Sequence, residues 1–161
     1  MLFNYNTSRG FYRVDDVVWV MQAGVVDGID GGGALYDHTT RFGWIDNSGT
    51  ADPSQGIWFE AADPARPGTA TWKCITQDGA GTTTNDTGVQ ANVRAWHTLT
   101  IANNGAGTIT FSVDGVQKCR QATHVPAVPV NPAFQLKQTN SSTSNNQFGI
   151  DWFTLDMIVT R

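Results

Sequence analysis

The only glutamate in this chain, Glu60, lies in an alternating run, Gly56-Ile57-Trp58-Phe59-Glu60-Ala61. The two-residue period of a strand puts Ile57 and Phe59 on one side and Trp58 and Glu60 on the other. Many β-sandwich glycosidases set two or three carboxylates two or four residues apart on one strand. Alternation then points them into one cleft as acid and nucleophile. Glu60 has no such partner, because the neighbouring same-side positions are Trp58 and Ala62. Asp151 and Asp156 are five apart, which sends them to opposite sides of a regular strand. No catalytic residue is assigned on these grounds, and the chain is read as not being an enzyme. Glu60 is read first as an outward strand residue or a hydrogen-bond partner for a loop.

Other chemistries find less support. His38, His97 and His124 are scattered, and no serine sits in a GxSxG elbow. Gly28 to Gly33 follows a strand-like run but is neither GxGxxG before a helix nor a phosphate loop with a Walker lysine. It is read as a flexible loop. Asp27-Gly28-Ile29-Asp30-Gly31 resembles part of a calcium loop but lacks the acidic residue that closes an EF-hand. No metal and no cofactor are assigned. Cys74 and Cys119 lie 45 residues apart with no CxxC and no Cys/His cluster. Each is either a small buried hydrophobe or, if their strands are neighbours, half of a disulfide. Trp44, Trp58 and Trp72 all fall on strand-like runs. With Glu60 they form the candidate carbohydrate-binding set, because an indole stacks on the C–H face of a pyranose while polar side chains bind hydroxyls. The competing fate of each tryptophan is to fill a core.

The elements that hold these residues are strands. The chain has 161 residues, with Lys plus Arg 10 against Asp plus Glu 14 and a net charge of -4. Nothing in that balance favours nucleic acid or anionic lipid. Charged residues are only 15% of the chain, and 20 Thr, 11 Asn and 7 Ser supply polarity instead. Good helix formers are scarce while Thr, Val, Trp and Phe abound, which predicts an all-β domain. No apolar run approaches the length of a membrane helix. The start, Met1-Leu2-Phe3-Asn4-Tyr5-Asn6, lacks the basic and apolar regions of a signal peptide. It predicts synthesis and folding in a cytoplasm.

Turn signals divide the chain into about eleven strand-like runs. The spacing predicts strands over 14–23, 40–45, 56–61, 71–77 and 82–87. Asp78-Gly79-Ala80-Gly81 makes the last two a hairpin. A meander follows over 96–101, 108–113 and 116–121, turning at Asn103 to Gly107 and at Asp114-Gly115. Asp46 to Gly49 is read as a turn, Ala62 to Gly68 with Pro64 and Pro67 as a loop, and Asn140 to Asn146 as a polar loop. Phe134 and Leu136 alternate with Gln135 and Lys137. Phe148 to Val159 is apolar on both faces, as a central strand between two layers would be. One domain over 1–161 is expected, as two packed antiparallel sheets with Phe59, Leu99, Ile109, Phe111 and Val113 in the core. Residues 1–13, with Leu2, Phe3, Tyr5, Phe11 and Tyr12, are either an edge strand or an arm that docks on another subunit.

A wider pattern combines these runs. Arg41 to Asp46, Asp52-Pro53, Gly56 to Glu60, Trp72 to Thr76, Asn85 to Val89, Trp96, Phe111 to Gly115, Val125-Pro126 and Ile150-Asp151-Trp152 together resemble bacteriophage structural proteins with a concanavalin A-like lectin/glucanase jelly roll. The resemblance covers about residues 40–158. It implies a jelly-roll sandwich and a non-catalytic virion protein, made in the host cytoplasm and exposed on tail fibre or capsid. Its implied partners are other virion subunits, a second copy of itself, and host-surface glycan. The alternative is a carbohydrate-active enzyme or a carbohydrate-binding module.

Overall fold

The structure is a computed structural model that describes residues 12–13, 18–30, 38–46, 51–63, 70–91, 95–138 and 145–158. These residues form eleven strands and no helix. They are β1 (Tyr12–Arg13), β2 (Val18–Asp30), β3 (His38–Ile45), β4 (Gln55–Asp63), β5 (Thr71–Asp78), β6 (Thr82–Gln90), β7 (His97–Asn103), β8 (Ile109–Val113), β9 (Val116–Gln121), β10 (Pro129–Gln138) and β11 (Asn145–Ile158). Every pairing is antiparallel. One sheet has six strands in the order β1-β10-β3-β4-β5-β6, and the other has five in the order β11-β2-β7-β8-β9. The two pack face to face, so the expected jelly-roll sandwich is what the chain adopts.

Alternation decides which side chains enter the core. From one sheet come Phe42, Trp44, Ile57, Phe59, Trp72 and Cys74; from the other, Trp19, Met21, Leu99, Ile101, Ile109, Phe111 and Val113. Trp19 meets Trp44 edge-on at 5.3 Å between ring centroids, and Phe59 meets Phe111 at 5.2 Å. Such T-shaped contacts align the positive ring edge with a neighbour's negative face. The five residues expected in the core are all there.

The two open sides of the sandwich close differently. On one side Phe134 of β10 stacks on Phe42 and packs against Phe148 and Phe153 of β11. On the other, Cys74 of β5 and Cys119 of β9 form a disulfide across the sheets, with their Cα atoms 6.4 Å apart. Beside it the Gln121 amide donates to the Cys74 carbonyl at 3.0 Å, and the Thr76 hydroxyl donates to the Thr123 carbonyl at 2.8 Å.

Three expectations need correction. Gly28 to Asp30, the first part of the expected flexible loop, is the end of β2, paired with Asn145–Gln147 of β11. This extended pairing also replaces the calcium-like loop reading. Ladder pairing outweighs the poor strand propensity of Asp27, Gly28 and Asn145. Second, β11 is an edge strand rather than a central one. Its apolar residues Ile150, Trp152, Phe153 and Ile158 are exposed. Third, Asp151 is the extra residue of a β-bulge, since Ile150 pairs with Val25 and Trp152 with the next residue, Gly24. The simple count that separated Asp151 from Asp156 does not hold across it. Of the N-terminal segment, Tyr12–Arg13 is an edge strand on β10. Leu2, Phe3, Tyr5 and Phe11 lie outside the described residues, as do Asn47 to Gly49, Gly31 to Gly33, Pro64 to Gly68 and Asn140 to Ser144.

Aspartates hold the hairpins. Asp78 accepts from the Gly81 and Ala80 N–H groups, both at 2.9 Å, and from His124. The Gly81 N–H chiefly holds its carboxyl below the ordinary aspartate range. Asp86 is lowered first by the Gly88 N–H and then by the Thr71 hydroxyl. At Asp114 burial works against the charge, but the His97 ring and the Thr98 N–H outweigh it. Depressed carboxyl values stabilise the fold above the unfolded aspartate value, and that contribution is lost as pH falls through the folded values. Urea denaturation is expected to show stability falling below about pH 4, with a smaller acid loss in Asp86→Asn and Asp114→Asn.

The disulfide gives a second expectation. Closing a 45-residue separation restricts the unfolded chain by about 4 kcal/mol in the loop-entropy account. A Cys74→Ala, Cys119→Ala double variant is expected to lose ~2–4 kcal/mol in urea denaturation. Addition of dithiothreitol should then change the melting temperature of the parent protein but not that of the variant.

Candidate functional site

The outer face of the six-stranded sheet carries one polar row that crosses five strands. Register places Gln135 of β10 opposite Arg41 of β3, Arg41 opposite Glu60 of β4, Glu60 opposite Lys73 of β5, and Lys73 opposite Asp86 of β6. Arg41, Glu60, Lys73 and Gln135 are each one position removed from a residue in or against the core (Phe42, Phe59, Trp72 and Phe134), so alternation turns them outward, and Asp86 continues the row by its pairing with Lys73. Charge alternates along it from Arg41 to Asp86. At the usual spacing between strands the row is about 19 Å long.

Arg41 organises its centre. The side chain is only 7% exposed although it lies on an outer face. Nε donates to Glu60 Oε2 at 2.7 Å, Nη1 to Gln135 Oε1 at 2.6 Å, and Nη2 to Asp52 Oδ1 at 3.0 Å. A guanidinium removed from water needs partners for its fixed fork of donors, and two neighbouring strands and a loop provide them. Asp52 comes from the β3–β4 connection. Its Oδ1 also accepts from Lys137 Nζ at 2.8 Å, so that connection folds over the sheet face. The Asp46 carboxylate holds the base of the same connection by accepting from the Ser54 N–H at 3.0 Å and from the Ser54 hydroxyl. Asp52 itself stays 62% exposed. The Lys137 ammonium, followed by the Arg41 guanidinium, holds its carboxyl below the ordinary range against a counteracting effect of burial.

Trp58 flanks the row. Its Nε1 donates to Glu60 Oε2 at 3.3 Å, so Arg41 and Trp58 converge on the same carboxylate oxygen. The ring is 3% exposed and packs with Ile45 and Ile75 in a small apolar cluster outside the main core. Gly43 lies directly opposite Trp58. A Cβ there would collide with the Ile57 carbonyl and stand 2.6 Å from Trp58 Cα, and the backbone φ of +153° also favours glycine.

The candidate carbohydrate-binding set therefore divides. Glu60 and Trp58 belong to one constellation on the outer face. Trp58 fixes the carboxylate but presents little ring to solvent. Trp44 and Trp72 point the other way and are fully buried between the sheets, where no sugar reaches them. Arg41, Gln135, Asp52, Lys137, Lys73 and Asp86 were missed as a group. Parity alone would have placed Arg41 and Glu60 outward, but only the pairing register shows them opposite one another. Among the described residues no cluster of His, Cys, Asp or Glu is arranged to hold a metal.

No protein-family profile matches the chain, and no curated protein matches it in sequence. Solved structures do resemble it. The alginate lyase AlyC3 in complex with dimannuronate superposes with a TM-score of 0.60 at 10% identity, over 94% of this chain and 69% of the lyase. The β-glucanase of Bacillus licheniformis gives 0.54 at 11% identity, over 96% of this chain and 69% of the enzyme. The binding domain of botulinum neurotoxin serotype D gives 0.56 at 13% identity, over 92% of this chain and 37% of that one. At such identities the likeness is one of fold, and it identifies the concanavalin A-like glucanase/lyase jelly roll. It also corrects the reading that the chain is not an enzyme, since lyases and a glucanase are built on this same sandwich. That reading required a carboxylate pair, which is a demand of hydrolysis, whereas elimination needs only a suitably placed base and acid. None of these neighbours is a virion protein, so the resemblance noted in the sequence carries over for the fold and not for a phage role.

Proposed function

We propose that this chain is a carbohydrate-active domain that recognises a polysaccharide strand laid along the polar row of the six-stranded sheet. The observation that carries this reading is the row itself: Gln135, Arg41, Glu60, Lys73 and Asp86 in one register line across five strands. Gln135 and Arg41 are buried and act as support, so the contact line offered to hydroxyls is Glu60, Lys73 and Asp86, which strands hold more rigidly than loops would. Arg41 serves as the positioning residue. It holds Glu60 through Oε2, which leaves Oε1 for a ligand hydroxyl. Asp52 and Lys137 form the exposed rim beside it. The fold neighbours named alginate lyase and β-glucanase make polysaccharide the ligand class this face fits best.

Calorimetric titration with a mannuronate hexamer and with mixed-linkage β-glucan oligosaccharides tests the binding. Glu60→Gln and Lys73→Ala are each expected to weaken it about tenfold, since a hydrogen bond to a charged group contributes ~1.5–3 kcal/mol. Lys73→Ala should melt near the parent temperature, whereas Glu60→Gln, which keeps an acceptor oxygen but removes the charge paired with Arg41, should melt lower. Arg41→Ala is expected to cost about 3 kcal/mol of stability, because it leaves the largely buried Glu60 carboxylate without its charge partner, while Asp52 keeps Lys137 and water. Assays for new unsaturated ends and for new reducing ends distinguish elimination from hydrolysis. If neither oligosaccharide binds, or if binding is indifferent to Glu60 and Lys73, the assignment of this face is wrong.

A further inference from the structure

The opposite outer face, that of the five-stranded sheet, has a different chemistry. Trp96 and Trp152 are 56% and 37% exposed, although large aromatic side chains are normally covered. Each indole rests on a glycine. A Cβ on Gly24 would stand 2.6 Å from Trp152 Nε1 and 3.0 Å from its Cδ1, so the ring lies directly against the β2 backbone. A Cβ on Gly149 would stand 3.4 Å from Trp96 Cη2, so the tip of that indole lies over β11. Gly24 pairs with Trp152, and Gly149 pairs with Val26, two residues further along β2. The two seats are thus in neighbouring outward rows, about 7 Å apart along the strand.

The bulge at Asp151 creates this arrangement. Had the register at Ile150 continued without a bulge, Asp151 would fall opposite Gly24 and Trp152 opposite Ala23, on the core side. With it, Trp152 falls opposite Gly24 and faces out, while Phe153, Leu155 and Met157 oppose the core positions Ala23, Met21 and Trp19. Bulges commonly redirect a side chain in this way. Around the rings the adjoining positions are hydroxyls and an amide. Thr98 pairs with Gly24, Thr154 pairs with Gln22, and Gln22 Nε2 donates to Thr100 Oγ1 at 3.0 Å. Among the described side chains, the charged ones beside these rows on β2, β7 and β11 are two exposed carboxylates of β11: Asp151, the bulge residue that precedes Trp152, and Asp156, in the next outward row opposite Val20.

We infer that Trp96 and Trp152 form a second binding site, for a neutral pyranose oligosaccharide. Two solvent-facing indoles offer stacking surface, and threonine and glutamine side chains offer neutral partners for hydroxyls. The carboxylates of Asp151 and Asp156 repel an anionic uronate, so this face favours a neutral glycan, which sets it apart from the row of alternating charge on the other sheet. The site does not depend on the reading of that row.

The test is a titration of the whole chain with cellohexaose and laminarihexaose, followed by the indole N–H signals in nitrogen–proton correlation spectra. The Trp96 and Trp152 signals, assigned with Trp96→Phe and Trp152→Phe, are expected to move while that of Trp58 stays in place. Trp152→Ala and Trp96→Ala should each weaken binding about tenfold or more. Trp152→Phe should retain most of it, and Glu60→Gln should leave these shifts unchanged. The inference is overturned if neither hexamer binds, or if binding leaves both indole signals unmoved. It is also overturned if sedimentation shows a dimer that Trp152→Ala dissociates, which would make the face a contact between two copies of the chain.

Discussion

A guanidinium that has lost most of its water governs the ionic face. Arg41 is rooted on β3 but reaches β4 through Glu60, β10 through Gln135 and the β3–β4 connection through Asp52. Its alkyl stem and fork are held by packing and by charge at once, so the carboxylates it touches are fixed relative to three strands. Any ligand group that approaches Glu60 or Asp52 therefore meets oxygen atoms whose positions have already been set. The ordering entropy of these side chains is incurred on folding, not on binding.

The two outer faces show how one backbone pattern supports two recognition chemistries. Both sheets fill a shared core with residues of one parity, which leaves the other parity free. On the six-stranded sheet that parity holds a line of ionic and amide groups with one tucked tryptophan. On the five-stranded sheet it holds threonines, a glutamine and two tryptophans seated on glycines. The difference lies in which side chains occupy the outward positions and in one bulge, within a single architecture.

Much of this was legible from residue order. Period-two alternation identified Ile57 and Phe59 as inward and Trp58 and Glu60 as outward, and the turn residues Asp78-Gly79 and Asp114-Gly115 marked both hairpins. Alternation speaks only of parity, however, and not of what lies on top. Trp58 faces outward yet is covered, and Trp44 and Trp72 were offered as sugar platforms when their parity placed them in the core. The row from Gln135 to Asp86 depends on four registers between strands separated by up to 94 residues in sequence, and no local pattern encodes these. β11 misled because its apolar residues on both faces resemble a central strand. The bulge that reassigns Trp152 leaves no mark in composition.

The disulfide makes the sandwich mechanically asymmetric. One margin, at β5 and β9, is bonded covalently, while the opposite margin is held by contacts among Phe42, Phe134, Phe148 and Phe153. The bridged margin cannot separate while the sulfur bond is intact, so the aromatic margin is where the sheets part without breaking a covalent bond. The bridge then keeps one point of β5 against β9, which leaves the parted sheets less space to search before they close again.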